Sequence, residues 1–222
     1  MNIFLRVLCL IIGYMFGLIE TGVLYGKLKG VDIRKHGSGN LGMTNALRVL
    51  GPKAGLVVFI GDLLKAFIPC LIVNIVFRNI YEDTYMLYVL YTGLGAVLGH
   101  NFPFYLKFKG GKGISSSAGA IIGLLNPWMC LILLCIFTIA VLITKYVSVG
   151  SIVLMISFIT VYVIFALNGL LCFDRAIPDS CAAMYESFVP AALLTILAII
   201  RHKDNIKRLI HHSENKLSFH KH

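Results

Sequence analysis

Residues 128–170 read WMCLILLCIFTIAVLITKYVSVGSIVLMISFITVYVIFALNGL, a stretch whose only charged side chain is Lys145. A bilayer hydrocarbon core of about 30 Å takes about 20 apolar residues at 1.5 Å rise per residue. The stretch therefore supplies two crossings, Trp128 to Ile143 and Ser148 to Leu170, with the lysine at the turn between them. Working outward, the same pattern recurs from Ile3 to Leu24, Ala54 to Phe77, Tyr85 to Leu98, Ile114 to Leu125 and Ala183 to Ile200. The expected fold class is all-α: a polytopic integral membrane bundle of about seven helices, forming a single domain over residues 1–222.

The third and fourth segments are short and flank a glycine-rich loop from Gly99 to Gly113. Half-length helices there would let a water-soluble substrate approach the membrane. Asn126 and Pro127 mark a turn between the fourth and fifth segments rather than a kink in one long helix. The first segment lacks a basic n-region and runs directly into charges, so it reads as a retained helix and not a signal peptide.

Composition agrees. The 222 residues are 58% hydrophobic and only 14% charged, mean hydropathy is +0.86, and a soluble domain carries about 25% charged residues. Placing the loop from Tyr25 to Lys53, the Gly99–Gly113 loop, Lys145 and the tail from Arg201 on one side collects sixteen lysines and arginines there. The other side keeps Arg78 and Arg175, and Arg6 and Lys65 fall within segments. By the positive-inside rule the N-terminus is outside and the C-terminus cytoplasmic. The basic residues are scattered over short loops, which argues against nucleic-acid binding.

The six cysteines include no CxxC pair and mostly sit in apolar stretches as small hydrophobes; only Cys172 and Cys181 share a polar loop where a disulfide is feasible. Four GxxxG pairs, at Gly13, Gly22, Gly95 and Gly119, suit close helix packing. Asp62 and Lys65, one turn apart within a span, are expected to neutralise each other or meet a neighbouring helix.

Three polar segments fall on the basic side. The first is Gly37-Ser38-Gly39-Asn40-Leu41-Gly42-Met43-Thr44-Asn45-Ala46-Leu47-Arg48. Its glycines admit a ligand close to the backbone, and a helix starting near Leu41 would put Thr44 and Arg48 on one face with Asn45 beside them. Arginine grips phosphate oxygens bidentately. The second is Gly99-His100-Asn101-Phe102-Pro103, then Phe108-Lys109-Gly110-Gly111-Lys112-Gly113, leading into Ser115-Ser116-Ser117. Glycine-loop amides at a helix N-terminus, with a lysine, make an anion site. Leu106 and Gly113 occupy the positions where a Walker A loop needs Gly and Ser or Thr, so this is no ATPase loop. The third is the tail Arg201-His202-Lys203-Asp204-Asn205-Ile206-Lys207-Arg208 with Glu214 beyond. As a helix it would align His202, Asn205 and Arg208 and let Asp204 pair with Arg208. Ser148 is expected to cap the sixth span, with Ser151 one turn further. His211, His212, His220 and His222 read as tail polarity, and no metal site is expected.

Together GSGNxGxTNxxR, GHxFP with FKGGKG, and RHxxNIxRL resemble the three cytoplasmic motifs of the PlsY family, the acyl-phosphate-dependent glycerol-3-phosphate acyltransferases, in order and over essentially the whole chain. The resemblance implies a seven-helix bacterial inner-membrane enzyme, with no cofactor, acting as a monomer at the cytoplasmic membrane edge. Its substrates would be glycerol 3-phosphate and a long-chain acyl phosphate, and its products lysophosphatidic acid, acylated at the sn-1 hydroxyl, and inorganic phosphate. It implies catalytic roles for Ser38, Arg48, Lys112, His202 and Asn205. Substrate contacts fall to Gly39, Asn40, Thr44, Asn45, His100, Asn101, Gly110, Gly111, Gly113, Ser151 and Arg208, and a structural role to Glu214. Leu41, Met43 and Ile114-Ser115-Ser116 depart from the commoner Pro, Ala and Val-Ala-Thr, which bears on substrate preference rather than chemistry. The proton acceptor is open between His202 and the substrate's own phosphate. An HxxxxD acyltransferase motif is absent, since Leu41, Tyr105, Lys207 and Lys216 stand five residues after His36, His100, His202 and His211. A transporter for a phosphorylated solute is the rival reading, but it predicts a helix repeat and mid-membrane anion sites that the sequence does not display.

Overall fold

The structure, a computed structural model, describes residues 2–216, which contain helices and no strands. His220 and His222 lie outside these residues. Ten α-helices follow in order: α1 (Ile3–Gly17), α2 (Thr21–Leu28), α3 (Met43–Leu50), α4 (Pro52–Arg78), α5 (Tyr85–Asn101), α6 (Ile114–Gly123), α7 (Pro127–Thr144), α8 (Val147–Leu167), α9 (Pro178–Arg201) and α10 (Lys203–Ile210). Among the described residues five segments are long and apolar enough to cross a membrane: Ile3–Leu28, which joins α1 and α2, and α4, α7, α8 and α9. The two segments expected to be short are α5, of 17 residues, and α6, of 10.

The centre of the bundle is α5, buried on all sides except at a few positions, the state expected of a helix that is apolar all round. It packs against α1, α4, α6 and α9. Against α1 the fit is reciprocal: a Cβ on Gly13 or Gly17 would drive into the carbonyl oxygens of Thr92 and Ala96, and one on Gly95 or Gly99 into those of Leu10 and Tyr14. Two GxxxG pairs thus face each other and bring the backbones together.

The first segment is not one straight helix. It breaks between Gly17 and Thr21, and the carbonyls released there are taken by side chains, Leu18 O accepting from Tyr105 Oη at 2.7 Å and Ile19 O from Lys65 Nζ at 2.7 Å. Without such donors the exposed carbonyls would be untenable in an apolar setting. At its far end α5 continues to Asn101, so His100 and Asn101, expected in a loop, lie on its last turn. The last carbonyls of a helix need partners. Here His100 O and Asn101 O accept from the amides of Gly111 and Gly110, each at 3.1 Å.

Helix α6 is held at both ends by α4. Ser116 Oγ donates to Asp62 O (3.0 Å) near its start, and Asn74 Nδ2 donates to Gly123 O (3.1 Å) and Leu124 O (3.4 Å) at its finish. The chain then turns, as the sequence suggests, with Leu125 at φ 55° and Asn126 capping α7 through the Met129 amide at 3.0 Å. Arg6, given no partner by the sequence, pairs with Glu186 at 2.8 Å, and Tyr91 Oη donates to the same carboxylate at 2.8 Å. Cys172 and Cys181 are both free thiols.

Candidate active site

One end of the bundle gathers the finish of α5, the starts of α6 and α8, the short helices α3 and α10, and the loop before α3 around a cavity of about 610 Å³. Its formation depends on local hydrogen bonding. Asn45, on the first turn of α3, accepts from Ser38 N (2.8 Å) and donates to Ile33 O (3.0 Å) and His36 O (3.2 Å), folding the Gly37–Gly42 loop back so that Ser38 faces the cavity. Asn40 Oδ1 accepts from Gly42 N at 3.0 Å and tightens the same loop. Beyond it, Thr44 and Arg48 line the wall from α3, which begins at Met43, two residues later than expected.

On the opposite wall Lys112 Nζ donates to Asn205 Oδ1, joining the glycine loop to α10. Asn205 Nδ2 donates to Glu214 Oε1 (2.9 Å), and Arg208 Nε donates to Glu214 Oε2 (2.7 Å). Arg208 therefore pairs with Glu214 and not with Asp204. Ser148 Oγ also donates to Glu214 Oε1, at 3.3 Å, so it ties the tail to α8 instead of capping that helix. Ser151 Oγ donates to Val147 O at 2.8 Å and remains at the cavity wall. Burial, aided by the Arg208 charge, brings the Lys112 ammonium down to about 8. Burial raises the Glu214 carboxyl, but the hydrogen bonds from Asn205 and Arg208 outweigh it and leave the group below its usual value.

His202 stands between α9 and α10, 2% exposed, with Nδ1 2.7 Å from Ala198 O. A carbonyl only accepts, so Nδ1 carries the proton and Nε2 presents a lone pair. Burial pushes this imidazole down to about 4, outweighing the Ala198 hydrogen bond that favours its charged form. Near neutral pH the ring is uncharged and acts as a hydrogen-bond acceptor.

Four residues expected at the substrate, Gly39, Asn101, Gly110 and Gly111, are not on the cavity wall. The amides of Gly110 and Gly111 are engaged by the end of α5, so an anion would find its free amides one step later, at the start of α6 behind Gly113. Asn45 lines the wall, yet its amide is committed to the loop. Arg201, given no role by the sequence, donates from Nε to Gly111 O (3.0 Å) and from Nη2 to Gly110 O (2.7 Å), and it stacks over Phe102 with 5.5 Å between guanidinium and ring centre. It fastens the lysine loop to the end of α9. The hints were its place at a helix end beside His202 and as the first residue of RHxxNIxRL.

Apolar residues from five helices, Leu47, Phe59, Ile114, Phe137 and Val147 among them, complete the wall. Short loops and ordinary spans gave no signal for these. Glu20, Asp62 and His100 bring possible metal-ligand atoms within 4.8 Å of one another. The Lys65 ammonium already sits among them, 3.6 Å from Glu20, 3.1 Å from Asp62 and 2.7 Å from His100, where a cation would otherwise go.

Fold and site define a polytopic helical membrane protein with a cationic, partly greasy chamber at one end of its bundle, suited to amphiphilic phosphate esters. The profile of the glycerol-3-phosphate acyltransferase family matches residues 7–212. Glycerol-3-phosphate acyltransferases of Macrococcus caseolyticus and Bacillus subtilis are 42% and 38% identical to the chain, each covering 96% of it and 98% and 97% of their own lengths. The solved structure of PlsY, an integral membrane glycerol 3-phosphate acyltransferase, in its glycerol 3-phosphate form is similar at a TM-score of 0.78 and 33% identity, over 96% of both chains. Its lysophosphatidic acid form aligns at 0.73, also 33% identical, over 96% of this chain and 95% of that one. The chain belongs to the glycerol-3-phosphate acyltransferase family of the PlsY type.

Proposed function

We propose that this acyltransferase takes its acyl group from a long-chain acyl phosphate and delivers it to the sn-1 hydroxyl of glycerol 3-phosphate, releasing lysophosphatidic acid and inorganic phosphate. The observation that carries this reading is the contact between Lys112 and Asn205, which closes a chamber with Arg48, Lys112 and Arg208 around it and apolar residues along one wall. Two phosphate groups and one acyl tail need that combination of charge and grease. The related PlsY has a lysophosphatidic acid form; acylating glycerol 3-phosphate yields that molecule, which supports the same reaction here.

An acyl phosphate is a mixed anhydride with a good leaving group, so alignment and charge neutralisation carry the reaction. Arg48, Lys112 and the free amides at the start of α6 hold the phosphates, with Ser38, Ser151 and Asn205 orienting oxygens. His202 Nε2 accepts the hydrogen of the attacking hydroxyl and aligns its oxygen on the carbonyl carbon. An imidazole lowered to about 4 holds a proton weakly, so the proton ends on the departing phosphate. The chamber opens to the cytoplasm, on the orientation given by the distribution of basic residues, and one chain in the inner membrane contains every group required.

Incubating the purified protein with palmitoyl phosphate and radiolabelled glycerol 3-phosphate, against palmitoyl-CoA, tests the donor. Labelled lysophosphatidic acid should form with the acyl phosphate, and formation from acyl-CoA alone overturns the assignment. His202→Gln should retain measurable turnover, because its amide can still bond the hydroxyl. A loss beyond about 10³-fold, toward the upper range of general-base contributions, would return the base role to His202.

A further inference from the structure

We propose that Lys65, held between Asp62 and Glu20, is a positioning residue that fixes His100 in the tautomer whose Nε2–H faces the chamber and donates to a phosphoryl oxygen of a substrate. This rests on the function proposed above. The four side chains are each 4% exposed or less and come from α4, the end of α5 and the break before α2.

Lys65 Nζ lies 2.7 Å from Ile19 O, 2.7 Å from His100 Nδ1 and 3.1 Å from Asp62 Oδ1. An ammonium has three N–H donors and no acceptor. Facing an ammonium at 2.7 Å, Nδ1 must offer its lone pair, and the ring proton resides on Nε2. Asp62 and Glu20 compensate the buried positive charge, the condition under which an ammonium survives away from water. Glu20 Oε1, 3.3 Å from Nδ1, is the acceptor the opposite tautomer would use, but the Lys65 ammonium at 2.7 Å is the nearer partner and can only donate.

The other edge of the ring meets the site. His100 is part of the chamber wall, and its Nε2 makes no hydrogen bond among the described residues. It lies against Gly111, where a Cβ would run into the ring nitrogen. Glycine at 111 lets the loop pass this close to the ring without a side chain over that nitrogen, next to Lys112. Lys65 thus acts at the substrate without touching it, through a ring it orients.

The wild-type protein in nanodiscs, labelled with ¹⁵N-histidine, provides the direct test, with the His100 signals assigned by their absence in His100→Asn. A protonated Nε2 and bare Nδ1 are expected; a protonated Nδ1 overturns the proposal. Kinetics supply the second test. His100→Asn should raise KM by about tenfold for one of the two phosphate substrates, the size of one charge-assisted hydrogen bond, with kcat falling much less. Whichever KM moves, for glycerol 3-phosphate or for acyl phosphate, identifies the phosphoryl group held. Lys65→Met should reproduce that change and add nothing in the His100→Asn background; an equal further loss there refutes the coupling. Since Lys65→Met leaves Asp62 unbalanced, Lys65→Met with Asp62→Asn is the paired variant, and the wild-type spectrum decides even where neither folds. Absence of acyl transfer by the wild-type protein would defeat the functional reading alone, because the tautomer is observed without turnover.

Discussion

Lys112 is where charge, burial and chemistry meet most sharply. Its ammonium, lowered to about 8 by burial and by Arg208, can hold a phosphate only while protonated. Raising the pH through that value empties the free enzyme of this charge, so kcat/KM for glycerol 3-phosphate should fall on the alkaline side. Lys112→Arg, whose guanidinium stays charged at any workable pH, should flatten that limb in a pH profile; an unchanged limb would assign it to another group. Arg201 makes two charged hydrogen bonds to the Gly110 and Gly111 carbonyls. Arg201→Met should therefore lower kcat/KM by about 10- to 100-fold, at about 1.5–3 kcal/mol for such a bond. Arg201→Lys should recover only part of this, as a point charge cannot reproduce a planar fork. Among the wall residues, Arg48, Lys112 and His202 were legible from residue type and local spacing, whereas Ser38 was reached only through the resemblance to the PlsY motifs. The commitments of Asn45 and of the Gly110 and Gly111 amides were not, because their partners depend on how the loop folds or lie in another helix.

Elements were easier to find than to delimit. Hydropathy marks every long apolar run, but the break at Leu18–Glu20 is set by donors from Lys65 and Tyr105, forty-odd and eighty-odd residues away, and no local pattern encodes that. The last turn of α5 likewise exists because the glycine loop returns to satisfy its carbonyls. The ten-residue α6 is stable at its length because Asn74 covers Gly123 O and Leu124 O. Asn74→Leu would leave both carbonyls without that donor in an apolar interior. It should cost about 1–2 kcal/mol of stability, read as a lower midpoint in a detergent unfolding titration, with KM for glycerol 3-phosphate little changed since the residue is remote from the chamber. A large KM change with unaltered stability would contradict this division of roles.

For the whole molecule, the sequence conveyed an all-helical membrane bundle and a site drawn from three separated segments, since both rest on hydropathy and on polar runs. The interior ion pairs were only half visible: Arg6 and Lys65 stood out as buried charges, while Glu186 and Glu20 became their partners only through packing. Orientation has a direct readout. In a protein freed of its six cysteines, a membrane-impermeant maleimide should label a cysteine at Arg175 in intact cells and one at Lys109 only after the membrane is opened; the reverse pattern would invert the bundle. The shared chamber has one more consequence. If the donor is an acyl phosphate, both phosphate groups would draw on the same few cations in about 610 Å³, and the phosphate set free by one turnover would occupy ground that the next pair of substrates must claim. On the proposed donor the enzyme would be throttled by its own by-product, and added inorganic phosphate should raise KM for glycerol 3-phosphate; an unchanged KM would show that the two phosphates do not share cations.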